Sequence, residues 1–175
     1  MNLTITVVKG DIVRQIDCDG IVNSANTHLI AGSGVCGAIY AGAGKRLEEY
    51  SRQLGPLSVG EALVTPGFDL PFRHIVHVVG PRYLEDADPR GNLIRTIQNA
   101  LRTADEVGIQ RLALPAISMG VHGYPPVEAI PLLIQSIYQI AESTQHLHEV
   151  RFVVLSGVLL NLFEDAIDAG RGAAG

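Results

Sequence analysis

Short apolar runs alternate with longer amphipathic stretches along this chain, and each pattern predicts one kind of element. The short runs are rich in β-branched residues, which is typical of buried strands. They predict strands over residues 3–8, 20–23, 62–65, 74–79, 111–115 and 150–155. The longer stretches repeat apolar side chains every three or four positions, which is typical of helices that bury one face. They predict helices over residues 38–54, 92–107, 128–143 and 160–169.

The order of these elements predicts an α/β domain with a largely parallel sheet covered by helices. We expect one domain over residues 1–169 and a flexible tail at 170–175, where no apolar anchor is present. Pro131 has no backbone N–H, so we expect it in the first turn of its helix, where that donor would be unpaired in any case. Ligands of such sheets bind beyond the carboxyl ends of the strands. The loops that follow the strands are therefore the candidate site.

Composition narrows the class of protein. Of the 175 residues, 47% are hydrophobic and 18% are charged, which is typical of a globular domain. No apolar run reaches the roughly 20 residues that span a bilayer, and the first residues enter a strand pattern without a basic, apolar signal segment. Two cysteines, Cys18 and Cys36, are too few for a disulfide framework. We therefore expect a cytoplasmic protein with reduced thiols and no membrane partner.

Charge argues against nucleic acid as a partner. The formal net charge is −5, and the 13 lysines and arginines are scattered rather than clustered. Nucleic-acid binders usually neutralise phosphates with a basic face, and binding to single strands also uses aromatic platforms that are scarce here. A phosphate-bearing ligand would instead be held locally, by backbone amides and helix N-termini.

Polar residues follow the first two predicted strands. Asp11, with Ile12 beside it, either caps a short helix or accepts a hydrogen bond from an exocyclic amine. Asn23 and Asn26 either stabilise a turn or contact a sugar hydroxyl, since asparagine suits both roles. Taken alone, none of these residues decides between structure and function.

Two glycine-rich segments, residues 31–40 and 116–125, each follow a strand and lead into a helix. Glycines allow positive φ and expose consecutive N–H groups to an anion, and the helix N-terminus adds its dipole. The first segment lacks the Lys-Ser/Thr of a P-loop and the GxGxxG spacing. Either segment alone is equally well explained as a flexible turn. Two of them in one small α/β domain favour a diphosphate held from both sides.

Taken in order, five segments carry a family resemblance: GDI, GIVNSAN, GSGVCGAIYAGAG, HIVHVVGPRY and ALPAISMGVHGYP. Together they resemble the macrodomain family over nearly the whole chain. The resemblance implies a three-layer α/β/α fold with a mixed, mostly parallel central sheet. It also implies ADP-ribose or ADP-ribosylated proteins as partners, with ADP-ribose as ligand or substrate and no cofactor. The sequence is most similar to the MacroD-type group, whose members remove ADP-ribose from acidic side chains or deacetylate O-acetyl-ADP-ribose. We therefore expect a mono-ADP-ribosyl-protein hydrolase or O-acetyl-ADP-ribose deacetylase, with a non-catalytic ADP-ribose reader as the alternative.

The resemblance also implies roles for individual residues. Asp11 would accept the adenine amino group, the Ile12 amide would meet a ring nitrogen, and Asn26 would face the distal ribose. The other residues for which it implies ligand contacts are Asn23, Gly32, Ser33, Gly34, Val35, Gly37, Ser118, Met119, Gly120, Val121, Gly123, Tyr124 and Leu155.

Cys36 departs from the MacroD-type pattern, which has an aspartate at this position, ten residues after the second asparagine. That aspartate is proposed to activate the attacking water, and loss of a positioned base costs about 10²–10⁴-fold in rate. His122 stands where the family usually has an aromatic residue, so Cys36 and His122 could pair as nucleophile or base, or act only in packing and stacking. In a third hypothesis, the ligand phosphate positions the attacking water while Asn26 orients the sugar. The candidate catalytic residues are thus Asn26, Cys36 and His122.

Three further positions complete the sequence-based expectations. Leu155 occupies the place where relatives stack an aromatic residue on adenine, so binding should lack a stacking contribution of about 0.5–1.5 kcal/mol. Tyr40 replaces a histidine common in the family, with no consequence that the sequence assigns, and His77 within a strand is expected to be structural. No Cys or His cluster has zinc-ligand spacing, so no metal is expected. A different nucleotide diphosphate remains the alternative ligand.

Overall fold

The computed structural model describes residues 2–173 of the chain. Its strands are β1 (Thr4–Lys9), β2 (Gly20–Ser24), β3 (Ala62–Pro66), β4 (His74–Val78), β5 (Arg111–Leu114) and β6 (Glu149–Val154). Its α-helices are α1 (Gly34–Ala43), α2 (Lys45–Ser51), α3 (Pro89–Glu106), α4 (Pro126–Ile140) and α5 (Gly157–Ala173). Single turns of 3₁₀-helix cover Ile12–Arg14, Arg52–Leu54 and Ala141–Ser143.

The six strands form one sheet in the order β1-β6-β5-β2-β4-β3. Every neighbouring pair is parallel except β3, which runs antiparallel to β4 at one edge. The prediction of a mixed, mostly parallel sheet is therefore confirmed. The carboxyl ends of five strands meet at one edge of the sheet, and this edge is where the glycine-rich loops emerge.

Helices cover both faces of the sheet, which confirms the three-layer α/β/α arrangement. Strand residues point alternately to the two faces. On β6, Phe152 joins the core under α3, α4 and α5, whereas its neighbour Val153 joins the core under α1 and α2. Phe152 packs against Phe163 of α5 with ring centroids 4.5 Å apart. Among residues 2–173, no helix combines the length and the apolarity that crossing a membrane requires.

The single helix predicted over 38–54 is wrong in its extent, because Gly44 divides it. Gly44 has φ of +85°, and a Cβ there would lie 2.7 Å from Asp69 Oδ2. Only glycine readily adopts this backbone conformation, so the chain turns between α1 and α2. The first helix also begins four residues earlier than predicted, at Gly34. This early start places the glycine-rich segment in the first helical turn.

Pro131 lies inside α4 rather than in its first turn, which corrects the sequence-based placement. The helix begins at Pro126, whose missing N–H would have no intrahelical partner. At the sixth helical position, Pro131 cannot donate to the carbonyl of Val127, an exposed residue at the start of the helix. The lost hydrogen bond therefore falls near the solvated helix end, and the buried side chains of α4 compensate for it.

The last helix extends further than predicted. The sequence ended it at 169 and treated 170–175 as a tail, but α5 continues through Ala173. Gly170 packs against α4, where a Cβ would lie 2.7 Å from a ring carbon of Tyr138. This close approach between helices holds residues 170–173 in helical form despite their lack of large apolar side chains. Residues 174 and 175 lie outside the described part of the chain.

Candidate functional site

A cleft of about 350 Å³ opens at the carboxyl edge of the sheet, as the topology predicts. Ten residues that the sequence indicated line it: Ser33, Gly34, Val35, Cys36, Ser118, Met119, Gly120, Val121, His122 and Leu155. Four more lining residues belong to segments that the sequence singled out without assigning them a contact: Ser24, Ala25, Ala116 and Ile117. The sequence did not predict the rest of the lining: Gly80, Pro115, Val153, Val154 and Leu159. Most of these residues lie at or just after the end of a strand. That position could have identified them, because ligands of such sheets bind beyond the carboxyl ends of the strands.

One wall of the cleft is the first turn of α1. The helix starts after Ser33, whose side chain makes no capping hydrogen bond. The first backbone bond of the helix joins the Gly37 N–H to the Ser33 carbonyl at 3.2 Å. The N–H groups ahead of Gly37 therefore lack helical partners, and Gly34 turns the chain into the helix with φ of +59°. This end of the helix is suited to an anion.

The opposite wall is the loop between β5 and α4. The Tyr124 N–H donates to the Ser118 carbonyl at 2.9 Å, and the Gly123 N–H donates to the Gly120 carbonyl at 3.0 Å. Ser118 has φ of +65°, a strained conformation for a residue other than glycine. Its hydroxyl is buried and finds no hydrogen-bond partner among residues 2–173. Strain and an unpaired donor at one position of a cleft wall point to a ligand contact.

Within residues 2–173, side chains give the cleft no fixed charge. Among the described residues that line it, none is Lys, Arg, Asp or Glu, and the titratable ones are Cys36 and His122. An anion bound here would be held by main-chain N–H groups and by the dipole of α1.

Cys36 lies in the floor of the cleft with its thiol facing the protein. Asn23 Nδ2 donates to Sγ at 3.9 Å, and the thiol donates to the Ile30 carbonyl at 3.7 Å. Burial raises the pKa of the Cys36 thiol, and the hydrogen bond from Asn23 only partly opposes this effect. The thiol is therefore protonated at neutral pH, so the sulfur is neither a good base nor an activated nucleophile.

Asn23, His77 and Thr65 form a buried polar track behind Cys36, a connection that the sequence did not predict. Asn23 is fully buried beneath the cleft and contacts His77 Nδ1 at 3.1 Å, while His77 Nε2 contacts Thr65 Oγ1 at 2.9 Å. Because Thr65 Oγ1 donates to the Pro66 carbonyl at 3.2 Å, it accepts from Nε2–H, and this fixes the neutral tautomer of His77. The amide of Asn23 then donates to both His77 and Cys36. The track orients Asn23 and the thiol from three strands.

His77 should make the stability of the fold depend on pH. Burial lowers the pKa of His77 to about 4, from an ordinary value of 6.5. The unfolded chain therefore takes up the proton first, so the contribution is complete above pH 6.5 and is lost as the pH falls towards 4. We expect a decrease of about 3 kcal/mol in the free energy of unfolding over this range, measured by urea unfolding. His77→Leu should flatten this dependence, whereas the exposed-site control His148→Leu should retain it; equal slopes in all three proteins would contradict the assignment.

Asn26 does not line the cleft directly, because its amide is engaged in its own loop. Its Nδ2 donates to the Ile30 carbonyl at 2.7 Å, and its Oδ1 accepts from the Ile30 N–H at 3.2 Å. Gly32 brings the amide and the thiol together: a Cβ there would lie 3.5 Å from Asn26 Nδ2 and 3.4 Å from Cys36 Sγ. The second hydrogen of Nδ2 and the free lone pair of Oδ1 remain for a ligand.

The far end of the cleft is formed by the end of β6 and the turn after β1. The Gly10 N–H donates to the Val154 carbonyl at 3.0 Å, which holds the turn carrying Asp11 and Ile12 beside Leu155. Asp11 caps the short 3₁₀-helix by accepting from the Val13 N–H at 3.1 Å, and Ile12 is buried. The side chain of Leu155 is 80% exposed at the rim. Neither Asp11 nor Ile12 belongs to the lining itself.

Three other predicted residues shape the walls without lining them. A Cβ on Gly37 would lie 2.6 Å from the Gly32 carbonyl, so this approach of the loop to α1 requires glycine. Gly123 turns the second loop with φ of +71°. Tyr124 is buried, with its ring 4.8 Å from that of Tyr83. The sequence thus identified both loops, but it did not separate lining residues from supporting ones.

The Macro domain family model matches residues 22–133 of this chain. A macro domain-containing protein of Ralstonia nicotianae is 36% identical over 170 residues, which cover 97% of each chain. A solved structure of the Oceanobacillus iheyensis macrodomain with ADP is similar with a TM-score of 0.91 and 31% identity, covering 98% of this chain and 93% of that chain. A mutant of the same macrodomain with ADPR gives a TM-score of 0.89 and 31% identity, covering 95% of this chain and 93% of that chain.

Proposed function

This chain belongs to the macrodomain family, and we propose that it binds ADP-ribose in the cleft and hydrolyses the ester bond at the distal ribose. One observation carries the proposal: a cleft whose described lining residues include no Lys, Arg, Asp or Glu lies between the first turn of α1, where N–H groups lack helical partners, and the glycine-containing loop after β5. Such a cleft suits a pyrophosphate, which accepts hydrogen bonds from several N–H groups at once. The similarity to a macrodomain with ADP and to a mutant with ADPR supports the same ligand.

The two walls define where the parts of the ligand would lie. The pyrophosphate would lie between residues 33–37 and 118–124, where main-chain N–H groups would donate to its oxygens. Adenine would lie towards Leu155 and the turn at Asp11, and the distal ribose towards Cys36 and Asn26. An aliphatic wall at Leu155 buries the adenine ring without aromatic stacking.

Hydrolysis in this cleft would rely on positioning rather than on a protein base. The thiol of Cys36 is protonated because burial raises its pKa, so a different group must orient the water. We propose that a phosphate oxygen of the ligand holds the water and that the amide of Asn26 orients the sugar. The substrates would be mono-ADP-ribosylated acidic side chains or O-acetyl-ADP-ribose, and the proposal needs no cofactor.

A second candidate function, a non-catalytic ADP-ribose reader, is favoured by the same cysteine. Cys36 occupies the place of the aspartate that is proposed to activate water in MacroD-type members. Its Sγ is already hydrogen-bonded to Asn23 and to the Ile30 carbonyl. A reader needs only the two loops, and the cleft provides both.

Calorimetry tests the binding step. We expect ADP-ribose to bind with one-to-one stoichiometry and at least about fivefold more tightly than ADP, because the distal ribose adds hydrogen bonds worth about 1 kcal/mol. ATP should bind more weakly than ADP-ribose. Equal affinities for all three ligands, or no saturable binding of ADP-ribose, would remove both candidate functions.

A hydrolysis assay then separates the enzyme from the reader. Protein carrying ADP-ribose on acidic side chains is incubated with the wild-type chain and with Asn26→Ala, Cys36→Ala and His122→Ala. Positioning by the ligand predicts turnover that Asn26→Ala reduces and Cys36→Ala leaves within about threefold of wild type, since the thiol supplies no base. Loss of turnover in both Cys36→Ala and His122→Ala would support a Cys–His pair instead. A wild-type chain that binds ADP-ribose without turnover is a reader.

A further inference from the structure

The Leu29–Ile30 peptide group is hydrogen-bonded on both sides: its N–H binds the side-chain amide of Asn26, and its carbonyl binds two hydroxyls. The N–H of Ile30 donates to Asn26 Oδ1 at 3.2 Å. The carbonyl of the same peptide belongs to Leu29, and it accepts from the hydroxyls of Tyr40 at 2.9 Å and Ser51 at 2.7 Å. The C=O and N–H of a trans peptide point in opposite directions within one plane. Rotation of the Leu29–Ile30 peptide would therefore break all three hydrogen bonds together.

Leu29 needs this support, because it adopts a strained backbone conformation. Its φ is +56°, in the left-handed region that is unfavourable for an L-residue with a side chain. Its side chain is fully buried, so it cannot relax by moving into solvent. Without the hydrogen bonds to its carbonyl, the backbone would lose the interactions that offset the strain.

Tyr40 and Ser51 form a buried pair that joins two helices at this carbonyl. Tyr40 lies on α1 and Ser51 is the last residue of α2, and their hydroxyl oxygens are 2.9 Å apart. Burial raises the pKa of Tyr40, so the hydroxyl remains protonated and can donate. Neither residue lines the cleft. The route from their hydroxyls to the cleft that the hydrogen bonds define runs through the Leu29–Ile30 peptide.

We propose that Tyr40 and Ser51 are positioning residues that orient Asn26 for the distal ribose of the ligand. This inference rests on the proposed function, because it assumes that a distal ribose binds beside Asn26. The carbonyl of Ile30, which follows the clamped peptide, accepts from Asn26 Nδ2 and from the Cys36 thiol. The pair thus presets both side chains at the distal end of the cleft, and within residues 2–173 its two hydroxyls make no hydrogen bond to residues 118–124.

Hydrogen exchange in the ligand-free protein tests the clamp itself. In Tyr40→Phe/Ser51→Ala, the amide hydrogen of Ile30 should exchange about tenfold faster than in the wild-type chain, because its peptide is free to rotate. The matched control is Tyr138→Phe/Ser136→Ala on α4, where the buried Ser136 hydroxyl donates only to the Leu132 carbonyl of its own helix. Unchanged protection of Ile30 in the folded double variant would overturn the proposal. If the double variant does not fold, Tyr40→Phe alone, which keeps the Ser51 bond, should give an intermediate rate.

The consequence for the ligand is tested by the dissociation constant for ADP divided by that for ADP-ribose. This ratio isolates the contribution of the distal ribose to the binding free energy. We expect the ratio to fall about five- to tenfold in the double variant, which corresponds to one hydrogen bond. The affinity for ADP should stay within twofold, whereas a general structural defect would weaken both ligands together. A ratio that remains at the wild-type value would overturn the inference. A wild-type chain that binds neither ligand would overturn the proposed function instead, and the exchange result would still report on the clamp.

Discussion

Replacing Cys36 with aspartate is expected to raise the rate of ester hydrolysis about 100-fold. Residue 36 lies at the floor of the cleft in the first turn of α1, where the helix dipole stabilises a negative charge. The amide of Asn23, which donates to Sγ in the wild-type chain, would donate to the new carboxylate. A positioned general base contributes about 10²–10⁴-fold, and the lower end of that range is expected because, in the proposed mechanism, the ligand phosphate already holds the water.

Single-turnover release of ADP-ribose from a protein modified on acidic side chains measures this effect. Cys36→Asn is the matched control, since it has the shape of aspartate without the charge and should remain near the wild-type rate. If Cys36→Asp and Cys36→Asn have the same rate while both bind ADP-ribose as the wild-type chain does, the water is not within reach of residue 36. The proposed position of the distal ribose would then be wrong.

The second large effect is expected for binding, where Gly34→Val should weaken ADP-ribose about 100-fold. Gly34 has φ of +59° and lines the cleft at the start of α1. A branched side chain destabilises this conformation by roughly 1–3 kcal/mol, and its methyl groups would project where the pyrophosphate is proposed to lie. Relaxation of the backbone would turn the N–H groups of the first turn away from the anion. Each 1.4 kcal/mol corresponds to a tenfold loss of affinity, so the two effects together reach about 100-fold.

Gly108→Val separates backbone strain from loss of the site. Gly108 has φ of +82° between α3 and β5, and, as at Gly34, a Cβ there would meet no atom within 4 Å. Both variants should lose stability in urea unfolding, but only Gly34→Val should lose affinity in calorimetry. If the two variants bind ADP-ribose equally well, the pyrophosphate does not contact the first turn of α1.

Local patterns of the sequence were sufficient for the layers and the strands. Alternation of apolar runs and amphipathic stretches predicted six strands in nearly their observed positions, because buried parallel strands read as short β-branched runs. The loops at residues 31–40 and 116–125 were also identifiable, because two glycine-rich segments that each follow a strand and lead into a helix favour a phosphate site together, although neither does so alone. Gly34 and Gly120 both line the cleft, as those segments predicted.

Contacts between distant segments could not be read from the chain. His77 looked like any histidine in a strand, yet its ring joins Thr65 to Asn23 and so supports Cys36. Tyr40 had no assignable role, because its partners Leu29 and Ser51 meet it only once α1 and α2 have turned about Gly44. The same limit applies to Pro131, whose place inside α4 depends on packing that local helix rules do not include.

If the main chain binds the anion as proposed, recognition depends little on the identity of most side chains in the two loops. Every residue except proline carries the same N–H donor, so a substitution at Val35 or Val121 that keeps the backbone path also keeps the hydrogen bonds offered to an anion. Mutational tolerance should therefore be uneven along these segments: broad at ordinary positions and narrow at glycines such as Gly34 and Gly37, where shape alone is at stake. Sequences could drift far around this cleft while the ligand it accepts stays the same.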